Sequence, residues 1–163
     1  MDELAVRVGT LEGFYRWVQV ERMRGVPLLH AALAVEAVGF VWGADEEGDA
    51  VAEGVLITPW FMSLVRLPAR VLPHGGRVGG RFVRAFGTER FDFIGAHDEA
   101  IGYHETCALF SPMGGFTDQA LARATAREAL ALTRPQPQPQ QATPAVLPAR
   151  RAFFLGRGGE RRS

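Results

Sequence analysis

A chain of 163 residues, 47% apolar and 22% charged, is long enough for one domain with a real hydrophobic core and too short for two comfortable ones. Its 18 cationic and 18 acidic residues cancel, which leaves no electrostatic footprint for nucleic acid or an anionic membrane. The single cysteine, Cys107, excludes an internal disulfide and a cysteine-rich metal site, and no apolar run approaches the ~20 residues of a membrane helix.

The first predicted element is a helix over residues 10–25. Thr10 is its expected cap, Glu12 lies in the first turn, and Leu11, Phe14, Tyr15 and Val18 share one face. Gly25 and Pro27 end it. Strand signals follow. Val35–Trp42 and Val51–Thr58 read as a hairpin around the acidic turn Asp45–Asp49. Pro59 interrupts the ladder, so Trp60–Leu67 is expected to continue as an edge strand. Pro68, Pro73 and residues 74–80 form a loop. Strands are expected near Arg81–Phe86 and Phe91–Ile94, a loop over residues 95–102, and a last strand over Tyr103–Phe110. Residues 116–132 form an Ala-rich helix capped by Thr117 or Asp118, with Leu121, Ala124, Ala129 and Leu132 among its apolar positions.

The expected fold class is α+β: an antiparallel sheet of four to six strands flanked by an N-terminal helix and a helix after the last strand. Composition changes at Arg134. Residues 1–133 read as one domain and 134–148 as a Pro/Gln-rich linker that favours extended polyproline II. Residues 149–163 read as an Arg-rich tail carrying Arg150-Arg151-Ala152-Phe153-Phe154-Leu155.

No spacing points firmly to catalysis. Gly75-Gly76-Arg77-Val78-Gly79-Gly80 lacks the Gly-Lys-Ser/Thr ending of a phosphate loop. His97, Asp98, Glu99 and His104 are the right ligand types for a divalent metal, but adjacent residues point apart and no helical His-x-x-x-His pair exists. Cys107 and His104 stand three apart in one strand and so face opposite ways. Two strand–proline junctions attract more notice. Thr58-Pro59-Trp60-Phe61-Met62 and Phe110-Ser111-Pro112-Met113 each place large apolar or sulfur-bearing side chains beside a proline. They read either as core at strand ends or as an adaptable apolar groove for a polypeptide.

These blocks resemble the nickel–iron hydrogenase assembly chaperones of the HybE/HupJ family. The resemblance rests on Gly25–Leu29, Val35–Phe40, Gly54–Leu64 and Arg90–Glu99. It continues through Cys107–Met113 into Phe116 and Asp118–Ala120, and ends with Arg150–Gly156. Some relatives carry a rubredoxin-like module, which a chain with one cysteine cannot build. The resemblance implies a cytoplasmic, non-catalytic maturation factor without cofactor or metal. Its client would be the small-subunit precursor of a membrane-bound uptake hydrogenase, bearing a twin-arginine signal. The large subunit and other maturation factors are further expected partners; nucleic acid and membrane insertion are not. A receptor for two arginines and an apolar segment needs carboxylates beside an apolar groove. Asp98, Glu99 and Glu105 are the expected carboxylates. Trp60, Phe61, Met62, Phe110 and Met113 are the expected walls. The tail motif, Arg150, Arg151, Phe153, Phe154 and Leu155, reads either as a mimic of the client that folds back over the groove or as a short arm that docks on a different partner or stays disordered. Two other functions stay open. One is a metal-handling protein or small enzyme built on His97, Asp98, Glu99 and His104. The other is a scaffold that holds hydrogenase subunits together.

Overall fold

The computed structural model describes residues 2–134. Helix α1 spans Glu3–Glu21 and strands β1 to β6 span Glu36–Ala44, Ala50–Ile57, Met62–Pro68, Arg81–Phe86, Glu89–Asp98 and Gly102–Phe110; helix α2 spans Gln119–Thr133. All pairings are antiparallel, in one sheet of order β1-β2-β3-β6-β5-β4. The expected α+β class, with six strands and a helix at each end of the order, is what the chain adopts. Apart from Arg134, the expected linker and the tail, including the Arg150–Leu155 motif, lie outside the described residues.

Helix α1 starts a full two turns earlier than the sequence reading placed it. Asp2 is the cap, its carboxylate accepting the Leu4 N–H at 3.2 Å. Thr10 is not a cap, because its hydroxyl bonds back to the Val6 carbonyl at 3.1 Å inside the helix. Strand β3 is not an edge strand: it pairs with β2 on one side and β6 on the other, and the edges are β1 and β4. Pro59 does not break the ladder, because it lies in the connection before β3 begins. The expected loop over residues 95–102 is mostly strand, since β5 runs on to Asp98. The α2 cap is Asp118, which accepts the Leu121 N–H at 2.9 Å.

Strand alternation gives the sheet two apolar faces. Ala52, Leu56, Val65 and Leu67 pack with Leu11 of α1 and with Val35 and Ile101. Val55, Ile57, Met62, Leu64 and Phe93 pack with Ala122, Ala126 and Leu130 of α2. Each helix therefore covers one face, and β2 and β3 are buried on both sides, which explains the unbroken run Val55-Leu56-Ile57.

The sheet curls around α2. Glu46, on the β1–β2 turn, reaches Arg84 on β4 at 3.3 Å. At the end of α2 the Thr133 carbonyl accepts from both the amide and the hydroxyl of Thr88, on the β4–β5 turn. Arg134 donates to the carbonyls of Gly39 and Glu53 at 2.7 and 2.9 Å. Gly87 fits this closure: its φ is +64°, and a Cβ there would run into the Thr133 carbonyl.

Candidate partner-binding site

The turn before β3 is organised by Thr58. Its hydroxyl accepts the amides of Trp60 and Phe61 at 3.1 and 2.9 Å, which fixes both aromatic side chains at the sheet end. Trp60 meets Phe61 edge-on at 5.5 Å between centroids, and Phe61 meets Tyr15 of α1 edge-on at 5.7 Å. Tyr15 also packs on Phe14 at 5.0 Å, which in turn stacks on Trp17 at 6.2 Å. The result is a ladder of half-exposed rings running from the β2–β3 turn along α1.

Buried His104 anchors the ladder from below. Its Nδ1 donates to the Gly102 carbonyl at 3.0 Å, because a carbonyl can only accept. That leaves Nε2 to accept the Tyr15 hydroxyl at 3.3 Å. Burial holds the His104 imidazole below its ordinary pKa, which keeps this neutral tautomer in place. Burial, with the added charge of Asp98, pushes the Tyr15 hydroxyl up to about 12. Asp98 thus stands on the α1 side of the sheet, near Tyr15. Its carboxylate is paired with Arg22 at 3.5 Å, and the Arg22 guanidinium lies 4.8 Å from the Trp17 ring centroid.

The expected single trough is divided between the two faces of the sheet. On the α1 side Phe61 meets Tyr15, Trp60 meets Phe61, and Asp98 pairs with Arg22. Met62 and Met113 do not join them: both are fully buried in the α2-side core, because β3 turns its first side chain to the opposite face from Phe61. Phe110 is 40% exposed and meets Phe116 edge-on at 5.1 Å. Glu99 is exposed in the β5–β6 turn.

Glu105 is not a rim carboxylate. It faces the α2 side and is buried, with Oε1 accepting from Arg66 at 2.8 Å and Arg84 at 3.1 Å. Its Oε2 accepts from Arg84 at 3.0 Å and from the Tyr103 hydroxyl at 2.6 Å. Arg66 is buried as well and reaches Glu53 at 3.4 Å and Glu46 at 3.6 Å. Burial pulls the Glu105 carboxyl upward, but the hydrogen bonds from Arg84 and Tyr103 and the charges of Arg84 and Arg66 outweigh it and hold it below its ordinary range. Burial wins at Glu53, whose carboxyl is raised despite Arg66. The sequence reading missed this network. Its signal was an arginine inside an apolar strand, Leu64-Val65-Arg66-Leu67, which burial forces to find carboxylates on the neighbouring strands.

The His97, Asp98, Glu99 and His104 set does not assemble. His97 faces His74, with ring centroids 5.2 Å apart, while His104 and Asp98 lie on the other face with Tyr15. Among the described residues, the acidic groups close enough to share a metal ion are Asp45, Glu47 and Asp49 on the β1–β2 turn. The Asp45 carboxylate there accepts the amides of Glu47 and Asp49, which is the chemistry of a turn. Half-buried Cys107 packs against the α2-side core, away from His104. Among the described residues no helix is long and apolar enough to cross a membrane.

Comparison with known proteins agrees with this architecture. The family model for the [NiFe]-hydrogenase assembly chaperone HybE matches residues 6–156. Protein HoxT of Cupriavidus necator is 42% identical, over 93% of this chain and 89% of that protein. The hydrogenase expression/formation protein HupT of Azotobacter chroococcum is 40% identical, over 91% of this chain and 95% of that protein. The probable rubredoxin HupJ of Rhodobacter capsulatus is 35% identical over 72% of this chain, which spans 41% of that longer protein. The solution structure of HybE from Escherichia coli superposes with a TM-score of 0.54 over 86% of this chain and 88% of that one; at 17% identity this is a likeness of fold. The chain belongs to the HybE family of [NiFe]-hydrogenase assembly chaperones.

Proposed function

We propose that this chain is a non-catalytic cytoplasmic chaperone that holds the small-subunit precursor of a membrane-bound uptake [NiFe] hydrogenase through its twin-arginine signal until export is due. The large subunit and other maturation factors are further partners in this reading. The observation that carries it is the accessible ring ladder Trp60–Phe61–Tyr15, with Asp98 at its α1 end held by Arg22, which lies on the Trp17 ring.

A twin-arginine signal presents two guanidinium groups followed by an apolar segment. The rings offer that segment a rigid apolar surface at little entropic cost. Asp98 and Glu99 offer carboxylates for the arginines. Arg22 occupies Asp98 in the free protein, but its side chain is largely exposed and the pair is long at 3.5 Å. Such a pair stabilises by only about 0–1 kcal/mol, so an incoming arginine replaces it at small cost. Met62, Met113 and Glu105 support the site from within the fold and do not touch the client.

Calorimetric titration of the purified chain with the full small-subunit precursor, and with the same precursor lacking its signal, tests the proposal. Binding is expected to fall at least about tenfold without the signal, a loss of about 1.4 kcal/mol. Equal affinity for both forms would replace the signal-holding role with that of a scaffold for the mature subunit.

A further inference from the structure

Helix α1 has an outer pole that the fold leaves bare. Only Arg7 and Leu11 of its 19 residues are buried. Along one exposed flank stand Val6, Gly9, Gly13, Trp17 and Val20; Val6, Trp17 and Val20 are 51%, 48% and 54% accessible. Their spacing follows one helical stripe. Asp2 caps the amino end of this stripe, and Arg24 at the carboxyl end bonds the Val20 carbonyl through Nε at 3.4 Å; along its middle it is flanked by exposed Arg16, paired with Glu12 at 3.8 Å. A helix apolar on both its inner and outer sides is ordinarily covered on both.

The stripe reads the same in both directions about Gly13. When it is laid antiparallel on a second copy of itself, Val6 meets Val20 of the second copy and Gly13 meets Gly13. Trp17 meets Gly9, where the space beyond Cα is open. Asp2 meets Arg24, and the two helix dipoles oppose each other favourably. Large side chain faces notch, and each acidic end faces a basic one. An unrelated apolar partner would need none of this internal symmetry, whereas a two-fold interface requires residue i to meet j and j to meet i. Beyond Val6 the surface continues into a groove lined by Trp42 and Val71, both of them exposed, so the second copy's carboxyl end has further apolar area to cover.

We infer that α1 is a self-association surface, and that two copies of this chain pair through antiparallel α1 helices with Trp17 of each seated on Gly9 of the other. The pairing needs no client to be bound, although Trp17 touches Arg22, the partner of Asp98.

Analytical ultracentrifugation of the full chain across the micromolar to hundred-micromolar range tests it. A reversible monomer–dimer equilibrium is expected. Trp17→Asp weakens the association at least about tenfold, as loss of a central aromatic anchor does. Gly9→Leu separates association from folding. It replaces a helix-interior glycine whose Cβ position is open, so the monomer's thermal midpoint rises while the filled notch expels Trp17 and the dimer weakens. In a Cys107→Ser background, Gly13→Cys oxidises to a covalent dimer, because the two-fold axis passes through that position. A monomer over the whole range, with Gly13→Cys failing to cross-link, overturns the pairing and leaves the stripe to a different partner. Association that survives both Trp17→Asp and Gly9→Leu overturns it equally, since the contact then lies elsewhere.

Discussion

Replacing Glu105 by Gln tests whether the buried ionic network holds the concave side of the sheet together. The carboxylate accepts hydrogen bonds from Arg66, twice from Arg84, and from Tyr103. Glutamine keeps the shape and one acceptor oxygen. Its amide nitrogen, placed at Oε2, leaves Arg84 and Tyr103 facing a donor, and it removes the charge that balances two guanidinium groups. Breaking one side of a buried pair costs about 3–5 kcal/mol; with one oxygen retained, about 3 kcal/mol is expected at pH 7. For a domain of this size that lowers the thermal midpoint by roughly 10 °C. The pH dependence has a definite sign. Because the folded carboxyl is held below its ordinary value, its stabilisation is complete above the unfolded carboxylate pKa and is lost as pH falls through the folded one. The gap between wild type and Glu105→Gln therefore narrows on acidification. Glu53→Gln is the contrast: its folded carboxyl is raised, so ionisation already costs the native state at neutral pH, and the substitution should cost less than about 1 kcal/mol. Urea unfolding followed by circular dichroism at neutral and acidic pH measures both variants. A Glu105→Gln protein within about 1 kcal/mol of wild type at pH 7, or a gap that does not shrink in acid, refutes the reasoning.

Other expectations concern the client site, the tail and the closure of the sheet. Trp60→Ala removes the outermost ring of the ladder and should weaken precursor binding by about 2 kcal/mol, roughly thirtyfold in Kd, by calorimetric titration; unchanged affinity removes Trp60 as an anchor. Deleting residues 149–163 removes the Arg150-Arg151-Ala152-Phe153-Phe154-Leu155 segment, which we propose competes with the client. Precursor binding should tighten, and equal or weaker binding rejects that role. Gly87→Ala forces a side chain into a left-handed backbone position against the Thr133 carbonyl. It should destabilise by about 2 kcal/mol in urea unfolding, and a neutral outcome would mean that the end of α2 is not held against the β4–β5 turn.

How much of this fold could be read in the sequence depends on whether one periodicity dominated. The β1–β2 hairpin was legible because β-branched residues flank an acidic turn in which Asp45 bonds the amides of Glu47 and Asp49. Helix α2 was legible because Asp118 marks its start and its apolar residues keep helical spacing. The start of α1 was not, since apolar residues lie all around it and give no single stripe to phase. Strand β3 was taken for an edge because Pro59 precedes it, yet the Thr58 hydroxyl accepts the turn amides and lets the ladder begin cleanly at Met62.

The site was legible in part for the same reason. Residue type pointed to Trp60, Phe61 and Asp98, and the fold brings these to one face. Adjacent positions in a strand point to opposite faces, so a block such as Trp60-Phe61-Met62 cannot line one groove once β3 starts at Met62. The same alternation separates Asp98 from Glu105, because Asp98 stands opposite Gly102 and Glu105 opposite Gly95, odd and even positions of one ladder. Helical spacing puts Tyr15 on one face with Leu11, Phe14 and Val18 and gives no sign of a polar partner. Its ring does pack inward on Phe61, but its hydroxyl meets His104, and so it joins the turn aromatics to α1. The helix that carries this link presents Trp17 on its outside, and Trp17 touches Arg22, the residue that holds Asp98 in the free protein. If a second copy packs on Trp17 and a client arginine binds Asp98, as proposed, both act on the same guanidinium. Whatever free energy one event spends in moving Arg22, the other feels in equal measure, since coupling between two binding equilibria is reciprocal.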